Sequence, residues 1–239
     1  MDNYNKGFYK DLDTNFEQAL ELSGKMFTHE ELIDLLKQGN IPQKQIAALK
    51  FDKVEDENDA NVLVSNLTGC DGKIREAVAL KINNLLIENP DLAKFFSQAN
   101  VFADASIDIN ANICRLVIDS VAILKKDAVF TKSYIEKILN FINEAYQELD
   151  NFIFKDKKYV INKQLFKLYW CLEAIKLFVQ EIPEGKLYEI LYRASIEREY
   201  TIREKVAQIV KGLSDSKFDI IKKTLLNDEN YYVRKALAD

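Results

Sequence analysis

The chain has 239 residues, of which only 7 are Gly and 3 are Pro. These two residues punctuate turns and strand ends and make up about 12% of average usage, so their scarcity excludes a turn-rich sandwich, barrel or Rossmann sheet and any linker-like chain. A net charge of −5, from 33 Lys+Arg against 38 Asp+Glu, argues against a dedicated phosphate-neutralising binder of nucleic acid, and 48% hydrophobic content argues against wholesale disorder.

Long helices with short polar joints remain. Asp13 or Thr14 can cap a helix through Leu22 that Gly24 stops. Thr28 and Glu31 have capping-box spacing, ahead of an apolar face of Leu32, Ile33, Leu35 and Leu36 that ends at Gly39. Pro42 falls in the first turn of the next helix. From there periodicity predicts helices at 42–52, 57–67, 71–87, 90–98, 108–125, 131–149, 159–180, 184–194, 199–211, 215–226 and 229–238, about 11 in all over this stretch. The pattern is clear at 131–149, where Ile135, Ile138, Leu139, Ile142, Tyr146 and Leu149 recur at three- and four-residue steps. The expected fold class is all-α.

Arg is rare, and three of its occurrences share a context. Asp71-Gly72-Lys73-Ile74-Arg75-Glu76-Ala77, Glu199-Tyr200-Thr201-Ile202-Arg203-Glu204-Lys205-Val206-Ala207 and Asp228-Glu229-Asn230-Tyr231-Tyr232-Val233-Arg234-Lys235-Ala236 each run from a polar turn through a β-branched residue and Arg to an Ala. Ile41–Leu49 fits the same frame with Lys44, and Asn112-Ile113-Cys114-Arg115 adds a looser copy. Self-similarity of about 30 to 40 residues with two helices per period reads as an α-solenoid, because one helix pair cannot cover both of its apolar faces and must stack.

These segments resemble HEAT repeats. The resemblance implies an α-solenoid of stacked antiparallel helix pairs, with best repeats at 41–69, 70–98 and 196–226, a half-repeat at 228–239, irregular repeats over 99–195 and a helical cap at 1–40, as a single structural domain. It also implies a structural marker role for Asp71, Arg75, Arg115, Arg203, Asp228 and Arg234. An Arg early in a helix can donate to exposed carbonyls or to a turn carboxylate of an adjacent repeat.

Catalytic constellations are scarce. The one His, His29, sits beside Glu30 and Glu31 with no second His at metalloprotease spacing, so no metal site and no catalytic role is expected. No Gly-x-Ser-x-Gly elbow or phosphate-binding Gly loop occurs. Asp11-Leu12-Asp13 begins like a calcium loop but has Phe16 and Leu22 where Gly and Glu are needed. The acidic run Asp52–Asp59 reads as a solvated turn with acidic capping of the next helix, weak cation binding being the lesser reading. Cys70, Cys114 and Cys171 read as reduced core residues. No cofactor is expected.

The expected function is a non-catalytic protein-interaction scaffold. Tyr188 and Tyr192, one helical turn apart, are the candidate partner-binding residues. Val233 and Leu237 are candidates for a self-associating C-terminal edge. HEAT-like glycosylases of alkylated DNA bases offer one alternative, with Tyr169 and Trp170 as stacking residues; the acidic balance opposes it. HEAT-like bilin lyases offer another, a small-molecule role placed in the aromatic-rich 165–192. With no signal-peptide layout and no long apolar span, a cytoplasmic location is expected.

Overall fold

The structure, a computed structural model, describes residues 14–151 and 158–238, and none of these lies in a strand. The alternative cap Asp13 falls outside them. Helix α1 covers 14–23 of the described residues. Helix α2, His29–Gln38, begins with the expected capping box: Thr28 Oγ1 accepts from Glu31 N at 3.2 Å and Glu31 Oε2 accepts from Thr28 N at 2.8 Å. Asn40 and Gln43 make a second, unexpected box that opens α3, Ile41–Lys50. Asp56 caps α4, Glu57–Val64, and Asp71 caps α5, Gly72–Glu88.

The expected helix at 90–98 is instead a 3-10 turn, Pro90–Phe95. A separate helix α6, Ala99–Ala105, follows it. Both departures have local causes. Pro90 lacks the N–H that would join it to the preceding turn, and Asn89 bonds Asp91 N at 3.2 Å to start a tight new one. Helix α6 has no side-chain N-cap, so nothing in the sequence marked its start. Helices α7 (Ala111–Leu124), α8 (Ala128–Asn151), α9 (Lys158–Ile175), α10 (Glu184–Ser195), α11 (Tyr200–Val210), α12 (Asp219–Leu226) and α13 (Tyr231–Ala238) complete the described elements. The expected 159–180 helix tightens to 3-10 form over Lys176–Phe178, and the expected start at 215 is a 3-10 turn, Ser216–Phe218.

The chain divides into two compact units, Met1–Ser133 and Tyr134–Asp239. In the first, α3 packs on α5 and α5 on α7 as one layer, while α2 packs on α3 and α4. In the second, α9 packs on α11 and α11 on α13, with α10 and α12 forming the other layer. Each unit is therefore built from helix pairs stacked side by side, as in a helical-repeat fold. Ala47, Ala48, Ala77 and Ala207 are buried on the first-layer helices, where small side chains let helix axes approach. Larger side chains fill the space between layers. Phe102, fully buried, meets Phe96 and Phe130 edge-on at 6.3 and 5.6 Å in the first unit. Tyr134 meets Phe178 at 5.5 Å in the second. Each such side chain contributes about 1.5–3 kcal/mol through burial.

Candidate interaction surface

The recurring Arg sets the geometry on which the surface helices are mounted. Arg75 Nη1 donates to the Gly69 carbonyl at 2.7 Å, while Nε and Nη2 fork onto Asp108 at 2.6 and 3.2 Å. Arg203 repeats this, with Nη1 on the carbonyls of Glu197 and Arg198 and the fork on Asp228 at 2.6 and 3.0 Å. Both pairs are nearly out of solvent, at 7–9% side-chain exposure, which is where a bidentate guanidinium outperforms lysine. The hydrogen bond that each guanidinium donates to its carboxylate holds the Arg75 and Arg203 pKa values above the ordinary guanidinium value.

One rule links these positions: the side chain at position i bonds the carbonyl six residues earlier. Arg234 obeys it, donating to Asp228 O at 2.5 Å and to Glu229 O at 2.9 Å. Cys114 obeys it with Sγ on Asp108 O at 3.0 Å, and Thr131 with Oγ1 on Lys125 O at 2.9 Å. Arg115 therefore does not stand at the marker position expected of it. Cys114 does, while Arg115 makes an exposed bond of 3.4 Å to Asn112. Asp71 is an N-cap, accepting from Lys73 N and Ile74 N, and Lys44 reaches Asn66 Oδ1 at 3.0 Å.

Asp108, the partner of Arg75, was not anticipated. Its signal was present: Asp108-Ile109-Asn110 matches Asp228-Glu229-Asn230, and in both the Asp accepts from the Asn backbone N at 2.8 Å. The Asn then caps the following turn, onto Asn112 N and Tyr232 N respectively.

Tyr188 and Tyr192 stack on the exposed face of α10, ring centroids 5.9 Å apart and planes 17° apart. Tyr188 is half-buried and leans on Phe218 at 6.0 Å, whereas Tyr192 is 46% exposed. A second exposed aromatic group, which sequence reasoning missed, comprises Tyr200, Tyr231 and Tyr232. Tyr200 stacks on Tyr232 at 6.4 Å, and Tyr231 meets Tyr232 edge-on at 5.6 Å. These residues lie two or three positions before Arg203 and Arg234, so the repeat frame itself marks them. Of the C-terminal pair, Val233 is fully buried and Leu237 half-buried.

Tyr169 and Trp170 meet edge-on at 5.2 Å, but Trp170 is buried and Lys205 lies over the Tyr169 ring at 4.7 Å, which opposes a role for the pair in stacking on a base. Cys70 is exposed and only Cys114 and Cys171 are buried, which corrects the expectation of three core thiols. Burial pushes the Cys114 thiol pKa up to about 12. A cleft of about 810 Å³ is lined by Tyr146, Leu149, Ile161, Leu165, Arg193 and Ile196, among others. Among the described residues the Tyr146 hydroxyl, buried there, has no hydrogen-bond partner, and the Arg193 guanidinium lies 3.9 Å from the Tyr146 ring centre.

His29 is not isolated as its sequence neighbours suggested. Its Nε2 pairs with Asp59 Oδ2 at 3.0 Å, a residue 30 positions away on α4. Among the described residues no helix is long and apolar enough to cross a membrane.

No protein-family model matches this sequence, and no curated protein matches it. Several solved structures align with it over most of its length. Two crystal structures described as engineered proteins align over 89% of this chain and 94% or 96% of their own, at 15% and 14% identity and TM-scores of 0.45 and 0.47. A designed armadillo repeat protein aligns over 87% of this chain and 96% of its own, at 9% identity and a TM-score of 0.44. The all-α repeat fold rests on the chain's own helix pairs and on its recurring contact to the carbonyl six residues back.

Proposed function

We propose that the chain is a non-catalytic protein-binding module whose contact surface centres on Tyr188 and Tyr192. The observation that carries this is the stacked pair on α10, held at its base by Phe218 and exposed at Tyr192. A ring fixed on one side before binding loses little conformational entropy on docking, and its phenol can still hydrogen-bond at the rim. Interface anchors of this kind carry a disproportionate share of binding energy. The test is affinity capture of partners from the native source with wild type and with Tyr188→Ala/Tyr192→Ala. The variant should lose at least one partner that wild type retains; capture of an unchanged set sinks the proposal.

The cleft beside Tyr146 favours a second reading, the binding of a small, mainly apolar molecule. Fluorescence of anilinonaphthalene sulfonate should rise with the folded wild type and fall with Ile161→Glu. Equal fluorescence in the two would remove this reading.

A further inference from the structure

We propose that His29, Glu55 and Asp59 form a three-ligand site for one divalent transition-metal ion, zinc being the ion that fits. One donor atom from each residue lies within 4.8 Å of the others. Tetrahedral zinc with bonds of about 2.0–2.1 Å separates its donors by about 3.3 Å. His29 Nε2 and Asp59 Oδ2 already stand 3.0 Å apart and need to part by about 0.3 Å, while the exposed Glu55 side chain has up to about 1.5 Å to close.

The site is held from several directions. Asp59 is 4% exposed; its Oδ2 accepts from Glu55 N at 2.9 Å, and its own N–H bonds Asp56 Oδ1 at 3.0 Å. That backbone contact places Glu55 next to Asp59. The His29 ring lies against Phe51 at 5.0 Å, and among the described residues its buried Nδ1 has no partner, so the polar contact of the ring is made through Nε2. Among the described residues the Glu55 carboxylate pairs with Lys53, at 2.7 Å, in an exposed pair of small worth that a cation can displace.

Charge favours a cation as well. Asp52–Asp59 carries five carboxylates against the single Lys53. One imidazole and two carboxylates suit zinc rather than a soft ion, and three protein ligands leave a fourth position for water. On binding, the ion takes the place of the hydrogen between Nε2 and Oδ2, and the ring coordinates as a neutral imidazole through the Nε2 lone pair with its one proton on Nδ1.

The experiment is zinc titration of the full, chelator-stripped chain in competition with a chromophoric chelator. Cobalt substitution gives the coordination geometry from its visible spectrum. Wild type should bind one equivalent and give the intense absorption of tetrahedral cobalt. Glu55→Gln should weaken binding about tenfold or more, and His29→Gln should abolish it. Because the Glu55 side chain is exposed, Glu55→Gln keeps the test decisive should His29→Gln unfold, with circular dichroism as the check on folding. No stoichiometric binding by wild type overturns the proposal. So does wild-type affinity in folded Glu55→Gln, which would mean an adventitious ion only.

Discussion

At the scale of single residues, the Arg fork decides how adjacent repeats are held. Arg203 and Asp228 are both nearly dry, so neither can lose its partner without leaving a charge in poor solvent. Arg203→Ala should cost about 3 kcal/mol, read from urea unfolding. Arg203→Lys should recover part of that loss, because lysine restores the charge without the two-pronged geometry. The pair also makes stability depend on pH. Burial pushes the Asp228 carboxyl up, but hydrogen bonds from Arg203 and from Asn230 N outweigh it, and its pKa falls below the ordinary 3.8. A carboxyl lowered in the folded state contributes fully above its unfolded pKa and loses that contribution as pH falls through the folded one. The urea midpoint should therefore drop between neutral pH and about pH 3, and Asp228→Asn should flatten that drop. Thiol chemistry offers a separate check. Of the three cysteines, only exposed Cys70 should react rapidly with Ellman's reagent in the native protein, and all three should react in denaturant.

At the scale of elements, caps were the most legible feature and 3-10 turns the least. Thr28 and Glu31 announced α2 because a capping box lies within four residues of chain. Thr28→Ala should lower stability by about 1 kcal/mol in thermal or urea unfolding. Gly39 has an ordinary extended backbone, so its need for glycine is steric. A Cβ there would fall on the Leu35 carbonyl oxygen and come within 2.9 Å of Gln43 Cβ. Gly39→Ala should therefore cost about 1–3 kcal/mol by overpacking, measured against Gly185→Ala, where a Cβ meets nothing within 4 Å. Gly69 requires glycine for another reason, its φ of +130°, and it presents the carbonyl that Arg75 takes. The Pro90 turn and helix α6 were misread because both are short. Over six or seven residues, apolar periodicity cannot separate one continuing helix from two brief elements.

At the scale of the whole molecule, the charge balance sets what the surface attracts. A net charge of −5 leaves no general basic excess to release counterions from a phosphate backbone. The chain should not shift duplex DNA in a gel at low salt, and a shift there would revive the glycosylase alternative. Composition and periodicity determined the all-helical class, most helix positions and the recurring Arg frame by themselves. Each of those signals is complete within a few turns of chain. The tertiary structure decided which groups meet: Asp108 on Arg75 across 33 residues, Asp59 on His29 across 30, and Cys114 rather than Arg115 on the repeat's carbonyl. It also decided that Tyr192 faces solvent while Tyr188 rests on Phe218. The physical reason is that helix formation is settled by neighbours three and four residues apart, whereas the choice of partner depends on how successive helix pairs stack. That stacking follows the uneven spacing of the joints, which local pattern does not encode.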